Sequence, residues 1–235
     1  MRVSDKAIVL QAIKHGDKKF ILKLYTQHNG LVTAAVALNK NIRASNIFPL
    51  SLINVELILK QNKEVHQVTE AGSYYILADI PNSLSKLSIA QFINEILIKA
   101  IKESATNQHL YDFIESCLVY LNDTKTEFIN LHLYFLAELT KFFGVEPQNN
   151  YSAQTPYFDC REGQFAPMSL AFPLGLGKED SFLFSEFLKV NSLKSKISNE
   201  QRHIILEVLL AYYRLHFPGF NTVKSLEVLK EVSLG

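Results

Sequence analysis

Along the first 80 residues, apolar side chains recur in short runs that turn signals interrupt. Residues 7–13 are mostly apolar and are followed by His15-Gly16-Asp17, a turn. Residues 19–25 alternate with a period of two. Phe20, Leu22 and Leu24 share one face of a strand, and Lys19, Ile21, Lys23 and Tyr25 the other. His28-Asn29-Gly30 marks a second turn before a strand at 31–38, and strands at 54–60 and 65–69 flank Gln61-Asn62-Lys63-Glu64. Five short strands at hairpin spacing suit a small barrel of OB-fold type better than a sandwich, which needs about seven.

From Pro81 the period becomes helical: Leu84, Leu87, Ile89, Phe92, Ile93, Ile96, Leu97 and Ile101 recur at steps of three and four. A second helix is predicted over 110–121. Thr124 and Glu127 have the spacing of a capping box, which predicts a third helix opening there and running to Gly144, with Pro147 just beyond. A loop with several prolines spans 148–177. Helices at 181–190, 201–217 and 223–232 follow, with Ser198 and Gln201 again spaced as a capping box. The expected architecture is therefore α+β and multi-domain: an OB-fold barrel over 1–80 and an all-α bundle over 81–235.

Composition bounds the class. Of 235 residues, 48% are hydrophobic and 20% charged, which suits a folded chain. The formal net charge of +1 argues against a nucleic-acid partner only if charge is evenly spread, and it is not. Residues 1–80 hold ten basic and six acidic side chains (+4), and the remainder fourteen and seventeen (−3). A polyanion responds to the local field and should prefer the first third. No apolar stretch reaches the roughly 18 residues that span a bilayer, and no signal segment is evident, so a reducing cytoplasm is expected, with no membrane contact.

The alternating strand carries the most informative chemistry. Amines at Lys19 and Lys23 can follow phosphates while Tyr25 offers a stacking surface for a base. Lys14, Lys18, Lys60 and Lys63 flank the turns, and the loop over 39–45 adds Lys40 and Arg43 among small polar residues, which suits phosphate contact. Enzyme chemistry finds less support. Pro173-Leu174-Gly175-Leu176-Gly177-Lys178 lacks the four-residue spacer of a phosphate loop. Arg161 beside Cys160 favours a thiolate, but neither a base nor an oxyanion glycine pattern is near, and Cys117 reads as core. The seven histidines do not cluster as metal ligands, so neither a metal nor a cofactor is expected.

Several strings resemble the RecO family of bacterial recombination mediators. At the N-terminus these are Ala7-Ile8-Val9-Leu10, the His15-Gly16-Asp17 turn, and Leu24-Tyr25-Thr26-Gln27-His28-Asn29-Gly30-Leu31. Phe142-Phe143-Gly144-Val145-Glu146-Pro147 is similar to the ending of a family helix. Tyr212-Tyr213-Arg214-Leu215-His216-Phe217 and Lys224-Ser225-Leu226-Glu227-Val228-Leu229 resemble the closing helices, particularly in the Bacteroidetes form. The resemblance implies a non-enzymatic protein that binds single- and double-stranded DNA and anneals complementary strands. With RecR it would help load RecA on strands coated by single-strand-binding protein (SSB), acting in the cytoplasm at the nucleoid. Many members carry a four-cysteine zinc module after the third helix; here that stretch keeps only Cys160, so no metal is carried over. The family also receives the acidic SSB tail in its helical domain. Such a tail needs an apolar notch beside a cation, for which His132, Phe135, Leu139 and Lys141 are the candidates. The alternative is a protein-interaction adaptor with only incidental DNA contact.

Overall fold

The computed structural model describes residues 1–102, 106–190, 193 and 195–233. Five strands form a closed barrel in the order β1-β2-β3-β5-β4: β1 (Arg2–Lys14), β2 (Lys19–Thr26), β3 (Gly30–Ala37), β4 (Leu52–Ile58) and β5 (Val65–Tyr75). The first half of β1 pairs antiparallel with β4, from Arg2 opposite Ile58 to Ile8 opposite Leu52. Its second half pairs with β2, from Ala7 opposite Thr26 to Lys14 opposite Phe20, with a register shift between Val9 and Gln11. A bulge of this kind adds twist and lets one strand serve two neighbours. The last joint is parallel and short: Thr33, Ala34 and Ala35 of β3 face Val65, His66 and Gln67 of β5.

The period-two pattern fills the barrel. Leu22 and Leu24 point inward with Ala7, Val9, Val32, Ala34, Ile53 and Leu57, and Phe20 packs at the edge of this core. Residues 7–10 are nonetheless buried on both faces, for Ile8 and Leu10 are as fully covered as Ala7 and Val9. The cover comes from helix α1 (Leu84–Ala100), which packs on β1 and is capped by Ser83, whose hydroxyl accepts from the Lys86 amide. Helix α2 (Gln108–Asp123) lies with α1, and the buried Lys86 Nζ donates to the carbonyl of Asn122 at 2.6 Å.

Strand gives way to helix at the expected place, but the chain divides into compact units later. Met1–Asp123 is one unit and Thr124–Gly235 the other, so α1 and α2 belong with the barrel.

In the second unit α3 (Leu131–Phe142) packs on α5 (Asn199–His216), as does α4 (Lys178–Val190); α6 (Ser225–Ser233) follows. The capping box at Ser198 and Gln201 forms in full. The one expected at Thr124 does not. Thr124 Oγ1 donates to the carbonyl of Thr126 at 2.5 Å, and Glu127 has φ of 62°, outside any helical turn. Helix α3 therefore starts only at Leu131.

The stretch 148–177 is also more than a loop. It contains a hairpin of β6 (Tyr157–Asp159) and β7 (Gln164–Ala166), closed by a turn in which Asp159 Oδ1 accepts from the amides of Arg161 and Glu162. Phe158 anchors it, with ring centroids 5.0 Å from Phe165 and 4.8 Å from Phe184.

Gly163 ends the hairpin turn with φ of 68°, and a Cβ there would lie 2.5 Å from the Tyr212 hydroxyl, itself fixed on the Val145 carbonyl at 2.9 Å. Gly163→Ala should cost about 2–4 kcal/mol in chemical denaturation, because strain and a clash with a buried ring coincide. In a Tyr212→Phe background the same change should cost less; an equal cost in both backgrounds would exclude the clash as its source.

Candidate nucleic-acid interface

The predicted cations gather around one end of the barrel. Lys14 and Lys18 flank the β1–β2 turn, whose hairpin closes through the His15 amide donating to the Lys19 carbonyl at 2.8 Å. Lys60 and Lys63 sit in the β4–β5 turn, where the Lys60 amide donates to His66 Nδ1 at 3.1 Å. In five-stranded barrels of this type these two turns and the outer face of β2 and β3 are where oligonucleotides bind. Between them lies a cleft of about 410 Å³ whose lining includes Lys19 from β2 and Lys60 from the β4–β5 turn, with His15 and Asn39. Lys23 continues the row on β2, opposite Thr33, and Lys40 and Arg43 are exposed in the β3–β4 connection.

These side chains are also electrically available. Among the described residues none of Lys14, Lys18, Lys19, Lys23, Lys40, Arg43, Lys60 or Lys63 has an ion-pair partner. Elsewhere pairing is common: Arg2 with Glu56 at 3.2 Å, Lys141 with Glu138 at 2.7 Å, Lys189 with Glu186 and Lys230 with Glu207, both at 2.6 Å. Two other clefts carry the wrong charge for a polyanion. An apolar one of about 580 Å³ beside α1 has Glu95 as its charged wall, and one of about 260 Å³ on the β4–β5 face is lined by Glu56 and Glu70.

Tyr25 is corrected. It lies on the outer face of β2 as its period requires, but it is only 1% exposed. Its ring stacks on Tyr111 of α2 at 6.3 Å and its hydroxyl donates to the Asn107 carbonyl at 3.3 Å. Burial pushes its pKa up to about 12. The helices cover that end of the strand, and no base can stack there.

The candidate tail pocket is corrected too. His132, Phe135 and Leu139 have no exposed surface, because this side of α3 belongs to the packed interior of the second unit. Lys141 is exposed, but Glu138 at 2.7 Å and Glu146 at 3.6 Å bracket it and raise its pKa, which disfavours an acidic peptide. Cys160 is fully buried and its thiol is pushed up to about 12 by burial, then by Asp159, so it supplies no thiolate at neutral pH. His216 turns its Nε2 to the Cys160 carbonyl at 2.8 Å, a structural role. Among the described residues no three His, Cys, Asp or Glu side chains group as metal ligands.

Comparison with known proteins agrees with the barrel and the helices together. The model described as "Recombination protein O N terminal" matches residues 1–75, and "Recombination protein O C terminal" matches 81–227. The chain belongs to the RecO family. It is 31% identical to the DNA repair protein RecO of Flavobacterium psychrophilum over 240 residues, covering 99% of each chain. It is also 29% identical to the RecO of Bacteroides fragilis, covering 96% of each. Both are DNA repair proteins of the RecO family by name. Among the described residues no helix is long and apolar enough to cross a membrane.

The sequence missed His15 and Gln67 as members of the basic cleft. Gln67 reaches it through the parallel β3–β5 contact, a pairing that local alternation does not reveal.

His132 provides a check on the second unit. Burial first, and then the Arg202 charge, lower its pKa to about 3, against 6.5 unfolded. Between those values the unfolded chain binds the extra proton, so the contribution is complete above 6.5 and is lost as pH falls. Below about pH 6 it should decline by about 1.4 kcal/mol per pH unit. Comparing His132→Phe with the parent by denaturant titration isolates this slope; parallel curves from about pH 6 to 4 would show that His132 is not held neutral.

Proposed function

We propose that this RecO-family chain is a recombination mediator. It binds single- and double-stranded DNA at the basic end of its barrel, anneals complementary strands and, with RecR, helps load RecA on SSB-coated single strands. The observation that supports this reading best is the set of unpaired cations around the two turns at one end of the barrel, with Lys19 and Lys60 in one cleft free of carboxylates among its described lining residues. Such a site holds phosphates without reading sequence. The proposed partners are DNA, RecR and the SSB tail, with RecA reached indirectly. The tail would dock away from His132, Phe135 and Leu139, and the work would take place in the cytoplasm at the nucleoid.

Salt dependence tests the DNA contact. For single strands, log K should fall with log salt by about 0.7 per phosphate neutralised. Lys19→Glu with Lys60→Glu should weaken binding to every sequence alike and flatten that slope by about 1.4. An unchanged slope removes both residues from the contact.

A strand-annealing assay on SSB-coated oligonucleotides, with and without RecR, tests the mediator role. Faster annealing than with SSB alone is expected. Capture of SSB through its tail with no DNA binding at any salt concentration would favour a protein-interaction adaptor instead.

A further inference from the structure

We propose that the cleft between β3 and β5 receives an unpaired nucleobase, so that the barrel recognises single-stranded stretches by their bases as well as by their phosphates. This rests on the nucleic-acid reading above and deepens it.

The cleft exists because of how the barrel closes. Parallel pairing ends at Ala35 and Gln67, and the residues just beyond, Val36 and Ala37 on one strand and Val68 and Thr69 on the other, line the opening. Its volume of about 410 Å³ lies within the range of small-molecule sites, about 300–1,000 Å³.

The lining has two chemistries. Val36 and Val68, each 3% exposed, belong to the core behind the cleft, and the half-buried Phe20, Ile21 and Ala35 supply its reachable apolar surface. Lys19 and Lys60 supply charge and the exposed Gln67 amide a donor and an acceptor, while Asn39 spends its Oδ1 on the amides of Asn41 and Ile42.

A phosphate alone has no use for the apolar part, since lying against Phe20, Ile21 and Ala35 would strip its water for nothing in return. A base does: its π-face gains from contact with an aromatic and aliphatic surface while the adjoining phosphates meet the lysines. Two lysines and no carboxylate among the described lining residues favour a polyanion over a peptide in this gap. In a duplex the bases are already stacked and paired, and reaching the cleft would require extruding one, a cost a single strand does not bear.

The test compares a thymidine homopolymer with an abasic strand of the same length and charge at fixed salt. The abasic strand should bind about tenfold more weakly. Phe20→Ala should narrow that gap, as should Phe20→Leu, which keeps the core filled if the alanine variant unfolds. The sequence contains no tryptophan, so Phe20→Trp places a single reporter in the cleft. Its emission should change with the thymidine strand and not with the abasic one. Equal affinity of the parent protein for the two strands, a gap that both Phe20 variants leave intact, or an emission change common to both strands overturns base insertion while leaving phosphate binding in place. If neither strand binds, the nucleic-acid reading falls with it.

Discussion

The barrel depends on one strand pairing on both sides. β1 runs from Arg2 to Lys14, long enough for its first half to pair with β4 and its second with β2. Where the two pairings meet, Ala7 and Ile8 have a strand on both edges, and residues 7–10 have the barrel core on one face and helical cover on the other. Each is 0% exposed. A polar side chain at any of these positions would lose water with no partner in reach, which costs about 1–3 kcal/mol or more. Once β1 has joined its neighbours, closure falls to three parallel pairs between β3 and β5. Those strands diverge just past this contact, and the cleft opens where the joint is shortest.

Net charge, by contrast, decides less than pairing does. Counted by compact unit, the first holds thirteen basic and eleven acidic residues and the second eleven and twelve, a contrast of only +2 against −1. The division at residue 80 gave a sharper contrast because it left out the acidic side chains of α1 and α2. What distinguishes the barrel end is that unpaired cations, Lys19 and Lys60 among them, lie together there, whereas Arg2, Lys141, Lys189 and Lys230 are neutralised by carboxylates within 4 Å. A surface ion pair contributes little to stability, about 0–1 kcal/mol, but it removes a charge from the field an approaching phosphate meets. A small set of free cations suits a phosphate grip that is blind to sequence and released by salt, as the proposed mediator role requires.

The sequence revealed what depends on near neighbours. Alternation over residues 19–25 assigned the right side chains to the inside of β2, and Ser198 with Gln201 formed the cap their spacing implies. It could not reveal what a distant segment would cover. Tyr25 is on the outer face as read, yet Tyr111 and Asn107, more than 80 residues on, turn that face into interior. His132, Phe135 and Leu139 failed as a pocket for the same reason: apolar spacing on a helix reads identically for a notch and for a core. Thr124 misled because its hydroxyl found the carbonyl of Thr126 before any helix amide, a local competition that motif spacing does not capture.

The second unit builds a short hairpin around a single buried cysteine. Strands of three residues, as in β6 and β7, cannot hold a hairpin by themselves and need a staple. Here the staple is apolar and backbone-mediated. Phe158 packs among Phe165, Phe184 and Tyr212, the Cys160 amide donates to the Leu174 carbonyl at 2.8 Å, and the Leu176 amide donates to the Phe158 carbonyl at 3.0 Å. Asp159 fixes the turn with two backbone amides, and Ser181 Oγ accepts from the Phe158 amide at 2.9 Å. Aromatic pairs add about 0.5–1.5 kcal/mol each beyond their buried area, so a cluster of this size can organise a short hairpin without a metal. Cys160 then contributes volume rather than a ligand: its sulfur is sealed, and burial keeps it a thiol.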